Sequence, residues 1–558
     1  MKQLSKNLSH DHPWSKYYPI KHPYQLKDAE MPIYHWLDQV VFQCPEKVSL
    51  NFYNNELNFK KFQKLSLQFA CGIKNIGLQK GDRVILMLPN CIHFAIAFFG
   101  LLRAGVIAVP INPQFTSTEL VYYLNDLEPK LIFILDSFET KVKKTIDLSS
   151  SKVKIVTIKN MVEFDYSKDE KDTSNAYKNQ INLGFENFLI DKKKFRKVKI
   201  NPKEDIAAIL YTGGTTGEPK GVMLSHHNIC YYVIAQTNHF SVLLGNKKAL
   251  LALPPHHIFG LCMIISAVFR KATLLLIEIF NPESIYKIIQ EEKVEAFFGV
   301  PAMYSALVNY YMREQQKDKL NHLTFCLIGA SPVSTRLWNK IKEIAPNATI
   351  IEGYGLTEAS GGPLLDPVSE NYQKKVGSVG IPIFNTEVKV GDPISQKDMP
   401  PGEHGEIITR GNNIFKGYWR KPILTREALK DGWLHTKDIG KMDEDGIFFI
   451  EGRLDDMINI RGEKVWPREI EKVLEDHKKV KEVAVIGVKD NNNDDQVIQA
   501  CIVLEDNQEV SKSELKDFCK KKLVLFKIPG KIVFYNELPK SHLGKILHYK
   551  LRKLSKNL

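Results

Sequence analysis

The chain has 558 residues, well past the ~250–300 at which a single hydrophobic core stops growing, so more than one domain is expected. Its 44% apolar and 25% charged residues form an ordinary globular composition, which excludes a disordered or fibrous chain. A formal net charge of +13 (77 basic against 64 acidic residues) suits an anionic partner or a solvated Lys-rich surface equally, and the absence of a recognition motif or of aromatics along a basic stripe excludes nucleic acid.

Residues 1–30 are polar, with Pro13, Trp14 and Tyr17, and read as an irregular lead-in. Helical spacing runs over 62–76, a strand over 82–88, an apolar helix over 95–105 and a short strand over 106–110. Strand, helix, strand in this order predicts a parallel sheet with crossover helices. The segment 140–204 is Lys-, Asp- and Ser-rich and reads as a solvated excursion. The apolar run 206–210 predicts a buried strand. After it, residues 211–221 read Tyr-Thr-Gly-Gly-Thr-Thr-Gly-Glu-Pro-Lys-Gly, and Ser225 is a helix N-cap candidate. Gly213, Gly214 and Gly217 allow close backbone approach to a ligand, Thr212, Thr215 and Thr216 offer hydroxyls, and Lys220 offers a cation. Such a loop suits a polyphosphate, although it lacks the Gly-Lys-Ser/Thr of a Walker A motif.

Further on, His256 and His257 are adjacent, and neighbouring side chains on extended chain point opposite ways, which argues against a shared metal. No acid occurs between Leu251 and Arg270, so an ammonium-bearing substrate would lack a counter-charge here. Residues 351–358 read Ile-Glu-Gly-Tyr-Gly-Leu-Thr-Glu. Tyr354 offers a ring to a purine, Thr357 a hydroxyl to a phosphate, and Glu358 a hard oxygen ligand of the kind Mg²⁺ takes. Asp438 could accept two hydrogen bonds from ribose hydroxyls, and Arg453 suits ribose or phosphate. The remainder predicts a small α+β unit: a helix from Pro467, strands over 483–488, 497–504 and 532–535, and an amphipathic helix over 513–522. Eight scattered cysteines with no Cys-x-x-Cys pair imply a reducing compartment and no structural zinc. The N-terminus has no long apolar core, and the longest apolar stretches fall short of the ~20 helical residues that span a bilayer. A cytoplasmic protein is expected, with peripheral contact to the inner face of the membrane left open.

Taken together these motifs resemble the adenylate-forming superfamily, which includes acyl-CoA synthetases, luciferases and peptide-synthetase adenylation domains. The 211–221 loop matches its phosphate loop, with Gly213 in place of the usual serine, as in the bacterial long-chain fatty acid–CoA ligases. Pro254, His257 and Gly260 match its Pro-x-x-His-x-x-Gly motif, and Pro539, Lys540, Gly544 and Lys545 its closing Pro-Lys-x-x-x-Gly-Lys. Two departures stand out: Lys437 occupies a usual glycine, and residues 452–455 read Gly-Arg-Leu-Asp where long-chain ligases carry Asp-Arg-Lys-Lys.

The resemblance implies an α/β fold with a large N-terminal domain of parallel-type sheets and helices (31–454) and a small mobile α+β C-terminal domain (455–558), hinged at Asp455. It implies activation of a carboxylic acid, with a fatty acid first in line, by ATP and Mg²⁺ through an acyl-adenylate, then transfer to CoA. It assigns catalysis to Lys545, Thr357, Glu358 and His257, and metal binding to Glu358. It assigns nucleotide and CoA contacts to Thr212–Gly217, Lys220, Gly329, Ala330, Tyr354, Asp438, Arg453 and Gly462. Loading of a carrier protein, an aryl or medium-chain acid, a non-catalytic homologue and a lipid-surface protein remain as alternatives; oligomeric state is not readable.

Overall fold

The structure is a computed structural model that describes residues 12–18, 29–159, 161, 183–190, 196–213, 218–240, 247–369, 371–460, 463–489, 496–540 and 546–555. Two sheets dominate residues 29–453. One has eight strands, in the order 417–418, 219–225, 206–213, 107–110, 83–87, 131–135, 154–158 and 183–184. The other has fourteen, counting the short strand 429–430 that pairs with 433–442. Its parallel half runs 48–52, 273–276, 248–251, 296–299, 325–328 and 349–356, with 55–58 antiparallel at the edge. Beyond 349–356 the sheet turns antiparallel through 361–365, 378–382, 448–453, 433–442, 405–410 and 387–391.

Between the sheets lie helices buried on all sides. Every residue of Ile92–Ala104 and of His226–His239 is buried, and Ile258–Phe269 nearly so. A helix without a polar face has to be covered all round, and two sheet faces do this in a single shared core. Amphipathic helices cover the outer faces: Ser117–Leu127 and Glu139–Asp147 on one sheet, Pro282–Glu291, Pro301–Arg313 and Thr335–Ile344 on the other. Local signals set the helix starts. Ser225 caps 226–239 in a reciprocal box with Asn228, and Gly105 closes 92–104 at φ 72°.

Three expectations need correction. Residues 219–225 are not loop but a strand antiparallel to 206–213, pairing Thr212 with Lys220. The segment 140–204 is not simply a solvated excursion. It holds the strand Lys154–Ile158, and Phe185 and Phe188 are fully buried against Phe69. The lead-in likewise has anchors: Trp14 packs edge-on against Phe448 (5.7 Å) and Tyr17 against Tyr372 (5.6 Å). Trp14, Tyr17, Phe185 and Phe188 are isolated apolar anchors in polar stretches, and the strands 154–158 and 219–225 are short runs beside a polar segment and a glycine-rich motif.

After the 3₁₀ turn Leu454–Asp456, a three-stranded sheet (480–489, 496–504, 531–534) packs with helices Pro467–Glu475, Lys512–Lys520 and His548–Ser555 around two small cores. The strands and two of the helices fall within a residue or three of the sequence expectation.

Candidate active site

The sequence motifs converge because four adjacent parallel strands end on one edge. Strand 248–251 leads to His257, strand 296–299 to Pro301, strand 325–328 to Gly329 and Ala330, and strand 349–356 to Thr357 and Glu358. Strand 349–356 is also where the sheet changes from parallel to antiparallel. Open α/β sheets bind ligands in the crevice outside the carboxyl ends of their parallel strands. Asn90 joins the two sheets at this edge: its side-chain amide donates to Leu253 O (2.9 Å) and Ile277 O (3.1 Å).

Glu358 lies in the 3₁₀ turn Thr357–Ala359. Its Oε1 accepts from the Tyr418 hydroxyl at 2.9 Å, and its carbonyl accepts from Phe415 N at 2.9 Å. The Lys220 ammonium sits 5.5 Å from the Tyr418 ring centroid, so one tyrosine bridges the phosphate-loop lysine and the acid. Burial pushes the Glu358 carboxyl above its ordinary value, Asp438 adds to the push, and the Tyr418 hydrogen bond and Arg453 charge oppose it. Such a carboxylate lacks a full counter-charge, and its hard oxygen suits a divalent cation bound beside phosphate.

A second cluster adjoins the first. Tyr354 donates to Asp438 Oδ2 at 2.5 Å, and Arg453 Nη1 donates to Asp438 Oδ1 at 3.0 Å across a paired register of strands 433–442 and 448–453. Burial first, then the Asp438 charge, holds the Tyr354 phenol protonated, so it remains a donor. With Asp438 already carrying two donors, Tyr354 and Arg453 set the direction of its remaining lone pairs.

Lys437 has a plain physical explanation. Its φ is 59°, in the left-handed region that favours glycine, at a bulge where residues 435–439 shift register against 406–408. The side chain is exposed and the backbone N–H donates to Glu406 Oε1 at 2.8 Å. Glu406 Oε2 also bonds His435 Nδ1 (2.8 Å), so the bulge that aims Asp438 is held from the neighbouring strand.

His257 is the N-cap residue of helix Ile258–Phe269. Its ring centroid lies 4.5 Å from that of His256, so the two imidazoles are neighbours and do not diverge as extended chain would have them. Among the described residues no group of three His, Cys, Asp or Glu could hold a metal. Gly260 is demanded sterically: a Cβ there would meet Pro254 O at 2.3 Å. Gly329 is buried, while Ala330 takes φ 71°, a strained conformation of the kind kept at ligand sites. Thr212 and Gly213 end strand 206–213, and at Gly213 a Cβ meets nothing within 4 Å, so steric demand does not explain its departure from serine. Gly214, Thr215, Thr216, Gly217, Gly462 and Lys545 lie outside the described residues.

One set of residues behind the site was not singled out in the sequence. Glu352, just before Gly353, accepts from Val333 N (3.1 Å), and its backbone N–H donates to Asp366 Oδ2 (2.9 Å). Lys374 pairs both acids, at 3.2 and 2.6 Å. This buried network ties the 329–332 loop to the Tyr354 strand. Its members are spread over 42 positions, and only Glu352 touches a motif, so the sequence gives little sign of it. Tyr418 was likewise not singled out in the sequence as a site residue.

A family model described as AMP-binding enzyme matches residues 37–419, and one described as AMP-binding enzyme C-terminal domain matches 469–545. The chain is 34% identical over 558 residues to the long-chain-fatty-acid–CoA ligase of Bacillus subtilis (strain 168), covering 97% of each. The solved anthranilate CoA ligase AuaEII in complex with anthranoyl-AMP has a TM-score of 0.83 at 25% identity, covering 96% of this chain and 100% of that one. O-succinylbenzoate coenzyme A synthetase (MenE) from Bacillus subtilis, in complex with ATP and magnesium ion, has a TM-score of 0.77 at 25% identity, covering 93% and 99%.

Proposed function

The chain belongs to the AMP-binding enzyme family, and on that premise we propose that it is an ATP-dependent, AMP-forming ligase that joins a fatty acid to CoA. The observation that carries this reading is the meeting of Lys220, Tyr418, Glu358, Tyr354, Asp438 and Arg453 at the carboxyl edge of the parallel strands.

A carboxylate is a poor acyl donor because its leaving group would be oxide. When its oxygen attacks the α-phosphorus of ATP, pyrophosphate leaves and the acyl group gains AMP as a good leaving group. The sulfur of CoA then attacks the acyl carbonyl, the C–O bond to AMP breaks, and the thiol proton is lost to solvent. The first step brings two anions together, so fixed cations and oriented dipoles must offset their repulsion. Lys220 and the loop backbone would hold phosphate, Asp438 the ribose, and Tyr354 the adenine face. Glu358, with Thr357 beside it, would hold Mg²⁺, which when bound neutralises phosphate oxygens.

Lys545 is assigned to the carboxylate and α-phosphate during adenylation, and Gly462 to the CoA segment. The small domain, from Asp455 onward, would turn between the two steps so that one crevice serves both.

The fatty chain has support in the 34% identity, over 97% of each chain, to the long-chain-fatty-acid–CoA ligase of Bacillus subtilis. The test is acid-dependent exchange of pyrophosphate into ATP. Wild-type protein exchanges only when a fatty acid is present, and Glu358→Gln loses at least about 100-fold in rate; exchange without acid, or an unaffected variant, would overturn the reading.

A further inference from the structure

We propose that Val524, Leu525 and Phe526 form a docking tip that seats the C-terminal unit on the surface of an anionic lipid bilayer. The three residues follow helix Lys512–Lys520: Val524 is the N-cap of the short 3₁₀ turn Leu525–Lys527, and Leu525 and Phe526 lie within it. Val524 is 55% exposed, Leu525 82% and Phe526 39%. Single exposed apolar side chains are ordinary on a protein surface, but three in succession, on a unit whose cores lie elsewhere, call for a partner.

Charge identifies the partner. From position 520 to 531 there are five lysines (520, 521, 522, 527 and 531) and no acid. Asp517, Asp476 and Glu469 partly neutralise Lys520, Lys522 and Lys527. Lys521 and Lys531 are exposed and extend the basic fringe on either side of the tip. The Lys527 ammonium lies 5.8 Å from the Phe526 ring centroid, so the apolar body and the cation are presented together.

A protein partner fits this surface poorly. The cores of protein interfaces are depleted of lysine, and a stable interface needs about 20–30 residues a side, far more than a three-residue tip supplies. A bilayer surface asks for what is here: a few apolar side chains to enter the acyl boundary and lysines whose stems lie along it while their heads reach anionic headgroups. Because each contribution is modest, binding should be reversible and should weaken with salt. The proposal does not depend on the ligase reading, since none of the three tip residues belongs to a motif assigned to the crevice.

The test is co-sedimentation of the full-length protein with sucrose-loaded vesicles, either of phosphatidylcholine alone or of phosphatidylcholine and phosphatidylglycerol in equal parts. Wild-type protein should pellet with the anionic vesicles and stay in solution with the neutral ones. Val524→Asp/Leu525→Asp should weaken anionic binding about tenfold or more, and Lys521→Glu/Lys531→Glu by about the same factor, with melting temperatures within a degree or two of wild type. Two variants altering different chemistry guard against one that misfolds. Wild-type protein that ignores anionic vesicles, or binds neutral ones equally, overturns the proposal. So does a tip variant that pellets like wild type while raising the KM for CoA, an outcome that would give this surface to the acceptor instead.

Discussion

At the residue scale, Tyr418 and Lys437 show how side chains around a site act through geometry. Tyr418 stabilises a charge that its surroundings disfavour. Burial raises the Glu358 carboxyl, and the Tyr418 hydroxyl opposes that by bonding the ionised form. A metal-holding carboxylate must be ionised, so protons compete with Mg²⁺ for it, and at limiting Mg²⁺ the adenylation rate should fall as pH drops. Tyr418→Phe removes the opposing bond and leaves the carboxyl higher still. Its acid limb in a pyrophosphate-exchange pH profile should therefore lie above that of wild type; an unmoved limb would separate Tyr418 from the chemistry of Glu358. Lys437 sits at φ 59° with its side chain in solvent. A left-handed conformation costs a non-glycine residue about 1–2 kcal/mol, and glycine's extra chain entropy returns about 0.5–1. Lys437→Gly should accordingly raise stability by up to about 1 kcal/mol in denaturant unfolding, with the Kd for ATP unchanged. A lost affinity would mean the ammonium contributes to nucleotide binding.

At the element scale, the C-terminal helix His548–Ser555 is held by charge as well as by packing. His548 Nε2 lies 3.2 Å from Glu471 Oε1, and Arg552 pairs Asp456 at 2.7 Å. Burial acts to lower the His548 pKa, but the hydrogen bond and charge of Glu471 outweigh it, and the net shift is upward from 6.5. Burial acts to raise Glu471, but His548, Arg468 and the Val485 N–H outweigh it, and the net shift is downward from 4.5. A raised histidine gives stability that is fully present below pH 6.5 and is lost as pH rises through its folded value. A lowered carboxyl gives stability that is present above pH 4.5 and is lost as pH falls through its folded value. The pair therefore supports the small unit most between those limits. Wild-type protein should lose melting temperature relative to His548→Gln as pH rises above 6.5, and parallel curves would dismiss the pair as a pH-dependent support.

Elements of this kind also show what the sequence could reveal. The three-stranded sheet and helices Pro467–Glu475 and Lys512–Lys520 of the small unit, the 83–87 strand and the Ser225 cap were legible because each carries a period or a capping residue. The strand 219–225 was hidden inside a glycine-rich loop motif, and Phe185 and Phe188 inside a polar stretch. In the site, residues belonging to motifs were legible one by one. Their meeting was not, since it follows from four strands ending on one edge, and neither was the Glu352–Asp366–Lys374 network, which is assembled by tertiary structure alone.

At the scale of the whole molecule, two sheets enclosing buried helices share one core, and a small unit with its own cores follows a short turn at 454–456. No helix among the described residues is long and apolar enough to cross a membrane. Arg336 of the large body pairs with Glu505 of the small unit at 2.6 Å, but both are partly exposed. Lys472 of the small unit also pairs with the buried Glu451 of the large body at 3.2 Å, so the proposed swing has to break both pairs. The central claim is that this machinery activates a fatty acid and passes it to CoA. Its most direct test is thioester formation by purified protein with ATP, Mg²⁺ and CoA, across acids from acetate to octadecanoate together with benzoate and cinnamate. The account predicts a maximum at long aliphatic chains, with AMP and pyrophosphate released one for one with thioester, and its loss in Lys545→Ala. A maximum at an aromatic or short acid, or adenylate that forms but never passes to CoA, would contradict it.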